Sequence, residues 1–236
     1  MATTESAPSI WMRPERAMVG RPAQRSRAEI TAAAVGLADR EGLDALSMRR
    51  VAAELGTGAA SLYRYVETRE ELLDLMTDAV AGEYSLPEPS GEWLADLVAV
   101  GEQSRAILRR HPWLAGLVIT RPVLGPHGVA LMEYVLTVLA PHPADMAAKL
   151  EAFAMLNGIT ALFVQHELAG GSALQQRNVT YLHHAATSGE HPRLAQLLSQ
   201  APVTTGPADS DDPADSYGRI LARILAGLLG PAPGSV

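Results

Sequence analysis

Residues 47–65 constrain the fold of this chain more than any other stretch, because they leave room only for a tight corner between two short helices. Ser47 is placed to cap a helix over 48–55 whose buried face is Val51, Ala52 and Leu55, and Gly56 ends it. Gly56-Thr57-Gly58 is the whole connection. A second helix over 59–65 then sets Leu62 and Val66 on one face and Ala59, Ala60, Tyr63 and Arg64 on another. Such a corner has two uses. It can be a plain packing device between helices, or the first helix can brace the second so that the second lies in the major groove of DNA. The flanking residues favour DNA. Tyr63, Arg64 and Tyr65 stand beside small Ala59, Ala60 and Ser61, which let backbone and thymine methyls approach, and Arg49 and Arg69 stand at either end as phosphate or guanine ligands. On this reading Arg49, Ala59, Ala60, Tyr63 and Arg64 choose bases, Ser47, Tyr65 and Arg69 position the corner on phosphate, and Ser61 belongs to the same contact set.

Helix signals surround the corner. Ser26 and Glu29 have capping-box spacing ahead of Ile30, Ala34 and Leu37, and Gly42 supplies the stop. Thr68 and Glu71 repeat that spacing before Leu72, Leu73, Met76 and Val80. After a Pro- and Ser-rich break at 85–91, helical periodicity returns over about 91–110, 112–119, 126–139, 143–169, 173–188, 192–200 and 215–229. No strand alternation or hairpin turn interrupts it. The expected fold is all-α: a flexible basic arm (1–25), a helix-turn-helix DNA-binding unit (26–84) and a helical ligand-binding and dimerisation bundle (85–236). Residues 202–215 and 231–236 read as loops.

The net charge of −7 argues against nucleic acid only until it is divided: residues 1–69 carry +2 and the remainder −9. The chain has no cysteine, which removes disulfides, thiolate metal sites and cysteine nucleophiles. His166-Glu167-Leu168-Ala169-Gly170 would need His at its last position to bind zinc as a metalloprotease does, and adjacent His183 and His184 point about 100° apart on a helix. No metal, cofactor or catalytic set is expected, so the chain does not read as an enzyme. The apolar run 152–165 falls short of the roughly 18 residues of a membrane span, and the first residues carry no export signal, so the cytoplasm is expected.

Two helices ask for a partner. Residues 152–164 are apolar nearly all round, and the last helix carries a broad aliphatic stripe. A homodimer would bury both through Leu156, Ile159, Phe163, Ile220, Leu221, Ile224, Leu225 and Leu228.

These residues resemble the TetR family of bacterial repressors. The resemblance runs from Ile30 to Tyr84 through Ala38-Asp39-Arg40-Glu41-Gly42-Leu43, Ser47-Met48-Arg49-Arg50-Val51-Ala52-Ala53-Glu54-Leu55-Gly56, Ser61-Leu62-Tyr63-Arg64-Tyr65-Val66 and Glu70-Glu71-Leu72-Leu73. Trp11-Met12-Arg13-Pro14-Glu15-Arg16, Gly91-Glu92-Trp93 and Arg110-His111-Pro112-Trp113-Leu114 look like one actinobacterial branch. The chain departs from the family at Thr57-Gly58, where the helix cap loses its side chain, and at Arg69, where the family usually has lysine. The resemblance implies a dimeric repressor on a palindromic double-stranded operator, released by a small molecule held in the bundle. Gln103, Met132, Met155, Asn157 and Phe163 are the candidate effector contacts, and the scarcity of charge on the inner faces implies a largely apolar, neutral or weakly polar effector. The alternatives are an all-α enzyme or carrier whose helix-turn-helix is only structural, and a regulator without a ligand.

Overall fold

The computed structural model describes residues 9–14, 25–121, 125–169, 173–200 and 213–230, and every regular element among them is helical. The helix α1 (Arg27–Glu41) opens on a complete capping box: the Ser26 hydroxyl accepts from Glu29 N (3.1 Å) and the Glu29 carboxylate accepts from Ser26 N (2.8 Å). A short 3-10 turn, Leu43–Ala45, leads to α2 (Met48–Glu54), capped by Ser47 through Arg50 N at 3.3 Å. At the corner Gly56 has φ +63°, a conformation costly for a residue with a Cβ, and this keeps the connection short. The next helix, α3 (Ala59–Leu62), is shorter than the expected 59–65, and the chain leaves it through a turn closed by Tyr65 N donating to Leu62 O.

Thr68 caps α4 (Arg69–Ala81) through Glu71 N at 3.0 Å, but the expected capping box is only half formed. The Glu71 carboxylate turns instead to Glu67 N (2.8 Å) and to the Arg13 guanidinium. Arg13 belongs to the arm expected to be mobile. Residues 9–14 of it are docked: Ile10 is buried in the core, Arg27 donates to the carbonyls of Ile10 (3.1 Å) and Arg13 (2.8 Å), and Arg13 also pairs with Glu67. Residues 1–8 and 15–24 lie outside the described residues, as do 201–212 and 231–236, where loops were expected.

The remaining helices are α5 (Trp93–Arg110), α6 (Leu114–Thr120), α7 (Pro126–Val138), α8 (Met146–Leu168), α9 (Ala173–Thr187), α10 (Pro192–Gln200) and α11 (Pro213–Leu229), each within a few residues of its expected place. With 23 residues, α8 is long and apolar enough to cross a membrane by length and composition, more than its apolar run suggested. Here α5, α6 and α11 pack on it, and Ala152, Leu156, Ala161 and Val164 point into the fold.

Two cores hold the chain. One joins Ile30, Leu37, Val51, Leu62, Leu72 and Met76 of the first four helices to Ile107, Leu108, Trp113, Leu114, Ala161 and Val164 of α5, α6 and α8. It therefore runs straight across the expected boundary at residue 85. The other gathers Leu97, Val100, Val135, Leu156, Tyr217, Leu221 and Leu225. In it α11 presses so closely on α5 that a Cβ at Gly101 would lie 2.2 Å from Leu221 and 2.9 Å from the Tyr217 hydroxyl. That hydroxyl donates to Gly101 O (3.1 Å) and lies 2.6 Å from Thr160 Oγ1, while burial pushes the phenol above its ordinary range.

Polar ties reinforce the crossing. His111 faces Asp39 of α1 through Nδ1 (2.7 Å) and Glu83 through Nε2 (2.9 Å), and Trp113 Nε1 donates to the same Asp39 oxygen at 2.7 Å. Burial alone would raise the Glu83 carboxyl, but hydrogen bonds from Arg110 and His111 outweigh it and hold the group below its ordinary value. The α7 helix has no side-chain cap of its own at Gly125. Asp78 of α4, buried, accepts from His127 N and Gly128 N (both 3.0 Å) and faces His127 Nδ1 (3.0 Å).

Candidate functional site

Two places follow from this architecture. On the outer surface of the corner, Arg49, Tyr63 and Arg64 are exposed, Tyr63 at 50%, and Ala60 is exposed while Ala59 is half-buried. Of the expected base-facing residues, all but Ala59 are thus exposed on the α2–α3 corner or the turn after it. Three of the others have structural tasks as well. The Ser47 hydroxyl caps α2, the Ser61 hydroxyl donates to Gly58 O at 2.7 Å, and Tyr65 packs its ring on the core while its carbonyl accepts from Arg27 Nε at 3.1 Å. Arg69 is exposed and donates to Leu43 O at 3.3 Å. Arg50 beside Arg49 is exposed and pairs with Glu41 at 2.6 Å.

The second place is a cavity of about 440 Å³ between α4, α5, α6, α7 and α8. Its wall is apolar, with Val80, Ile107, Leu108, Leu131, Met132 and Phe153 prominent, and its polar groups are Thr77, Tyr84, Ser104, Asn157 and Arg121. The volume lies in the range of small-molecule sites. Burial raises the Tyr84 phenol above its ordinary range, with the Ser104 hydrogen bond acting the other way, so this hydroxyl stays a neutral donor. Asn157 Nδ2 donates to Phe153 O at 3.0 Å.

Of the expected effector contacts, Met132 and Asn157 line this cavity and three do not. Gln103 clamps the backbone of Ser85, with Oε1 accepting from its N–H (2.8 Å) and Nε2 donating to its carbonyl (3.0 Å). Met155 lies on the outside, 43% exposed. Phe163 packs its ring at a 60° tilt against Tyr217 (5.0 Å between centroids) beneath the buried Arg105 guanidinium, which pairs with Glu167. The polar lining residues Thr77, Tyr84, Ser104 and Arg121 were not expected from the sequence. Thr77 and Tyr84 had been assigned to the DNA-binding unit, and Arg121 lay just past a short helix with no periodic signal.

The expected dimer contacts also divide. Leu156, Leu221 and Leu225 are wholly buried in the chain's own core and cannot reach a second copy. The broad α11 stripe has two halves, and Leu221 and Leu225 occupy the inner one with Tyr217. Outside, Ile220 and Leu228 are exposed and Ile159 and Ile224 half-buried, and Leu162 of α8 is 63% exposed. Met155, Ile159 and Leu162 recur at helical spacing on α8, as Ile220, Ile224 and Leu228 do on α11, and the two helices pack together, so each presents an exposed or half-buried apolar ridge.

Known proteins share this sequence pattern and this fold. Residues 30–76 match the description "Bacterial regulatory proteins, tetR family", and residues 86–230 match "Tetracyclin repressor-like, C-terminal domain". The chain is 39% identical over 211 residues to the HTH-type transcriptional repressor DrrR1 of Streptomyces coeruleorubidus, covering 84% of this chain and 75% of that one. It is 35% identical to an HTH-type transcriptional regulator of Saccharopolyspora erythraea over 98% of this chain and 96% of the relative. Among solved structures, apo ActR of Streptomyces coelicolor superposes with a TM-score of 0.73 at 32% identity, covering 90% of this chain and 97% of ActR. ActR in complex with actinorhodin gives 0.71 at 34% identity, covering 87% and 97%. With both halves matched and the relatives aligned along most of their length, this chain belongs to the TetR family of transcriptional regulators.

Proposed function

We propose that this protein is a transcriptional repressor that binds a palindromic operator as a homodimer in the cytoplasm and leaves it when a small, largely apolar molecule fills the cavity. One observation carries the reading: the cavity wall includes Thr77, Val80 and Ala81 of α4, the last helix of the DNA-binding unit. A ligand there touches the helix that holds the corner. Occupancy that favours one placement of α4 changes the spacing between two α3 helices, and the same coupling makes DNA oppose the ligand. ActR, similar over most of its length, is solved with actinorhodin bound, which supports a small-molecule effector. The ridges of Met155, Ile159 and Leu162 and of Ile220, Ile224 and Leu228 support a second copy as the partner that covers them.

A gel-shift with the DNA upstream of the protein's own coding region tests this. Wild type should bind with a steep salt dependence, a log-log slope of about 0.9 per phosphate neutralised. Tyr63→Ala should weaken binding, and Arg64→Ala should cost about 1–3 kcal/mol and relax the choice of base. Arg69→Ala should weaken all sequences alike and flatten the slope by about one unit. A folded Tyr63→Ala variant that binds like wild type would remove the corner from the interface.

A further inference from the structure

Arg121 is the one charged side chain lining the cavity among the described residues, and the other polar groups there are neutral. Its side chain is about one-third exposed, which sets it at the mouth beside half-exposed Ile119. It does not stand alone: Nη2 donates to Asp74 Oδ1 (2.7 Å) and to Glu70 O (3.2 Å), both on α4. That partner is itself half-buried. Burial pushes the Asp74 carboxyl above the ordinary carboxylate range despite Arg121, and the charges of Glu71 and Glu70 on the same turns push the same way.

From these contacts we infer that the cavity takes a small organic acid, its apolar body between α5, α7 and α8 and its anionic oxygens on Arg121 in place of Asp74. The inference rests on the proposed role of the cavity as the effector site. A guanidinium presents several N–H donors in a fixed fork and matches a carboxylate better than it matches a neutral carbonyl. The exchange keeps the charges balanced: the ligand anion neutralises Arg121, while Asp74 takes up a proton or turns to solvent. It also releases the hydrogen bonds by which α6 holds the first turns of α4. A neutral ligand of the same shape fills the apolar wall but leaves that tie in place.

The test uses naphthoate and naphthamide, a pair with one body and a charged or neutral head, with binding to the full-length protein measured by calorimetry at pH 7. Naphthoate should bind about five- to tenfold more tightly, the difference between a hydrogen bond to a charged group and a neutral one. Arg121→Gln should erase that preference while leaving naphthamide affinity within about twofold, and Arg121→Lys should keep most of it. Asp74→Asn should raise naphthoate affinity severalfold and leave naphthamide unchanged, and this arm stands even if Arg121→Gln fails to fold. Equal binding of the two probes to wild type, or an acid-to-amide ratio unmoved by Asp74→Asn, would overturn the acid preference and leave the cavity as a site for neutral molecules. If neither probe binds, the cavity reading itself falls, and this inference with it.

Discussion

Leu225→Glu is expected to leave no folded protein, whereas Leu162→Glu is expected to keep the full helical spectrum and abolish the proposed dimer. Both sit on apolar helix faces of the same bundle, and only their surroundings differ. Leu225 is completely buried among Leu97, Val100, Tyr217 and Leu221 of its own chain. A carboxylate placed there has no partner, and burying an unpaired charge costs several kcal/mol, comparable with the roughly 5–15 kcal/mol that stabilises a whole domain. Leu162 is 63% exposed in a single chain, so a glutamate there is solvated until a second copy approaches. Circular dichroism reads the first outcome and sedimentation at micromolar concentration the second. A Leu225→Glu variant that stays folded as a monomer would mean that α11 turns its other face inward, and an intact Leu162→Glu dimer would displace the ridge from the interface.

Asp78→Ala should lower stability by about 2–4 kcal/mol, since it leaves two backbone N–H groups at a helix start without an acceptor and removes a charge from the positive end of α7. For a chain of this size that corresponds to a melting temperature lower by roughly 5–15 °C. Asp78→Asn should recover part of the loss, because its side-chain oxygen can still cap. Thermal unfolding followed by circular dichroism measures both. If the alanine variant melts with wild type, α7 does not depend on the cap from α4.

Local signals were legible where one short stretch decides the outcome. Ser26 with Glu29, the stop at Gly42 and the glycine corner at 56–58 each involve neighbours in sequence, and each stands where the spacing put it. Thr68 and Glu71 show how such a signal fails: a distant arginine, Arg13, competes for the Glu71 carboxylate. Ile10 gave no hint of burial, because the short apolar run Ile10-Trp11-Met12 between Pro8 and Pro14 is too brief to show a period. The α11 stripe was seen but not divided. Leu221 and Leu225 lie about 100° from Ile220 and Ile224 around the helix, and only the packing of Tyr217 beside Gly101 fixes which pair turns inward. The cavity was the least legible feature, since its wall draws on five helices and no periodicity links Thr77 to Asn157.

The core that runs from Ile30 and Leu62 through to Trp113 and Val164 bears on how such regulators can be recombined. A cut at the expected boundary near residue 85 would strip the floor from the first four helices and leave the apolar undersides of α5, α6 and α8 facing water. Grafting this bundle onto another DNA-reading unit would therefore have to rebuild the contacts that Ile107, Leu108, Trp113 and Leu114 make with the first four helices. The splice has to respect the packing, and residues exchanged at the α2–α3 corner must leave Val51 and Leu62 in the shared core. What can vary without touching that core is the outer face of the corner, where Arg49, Ala60, Tyr63 and Arg64 are exposed.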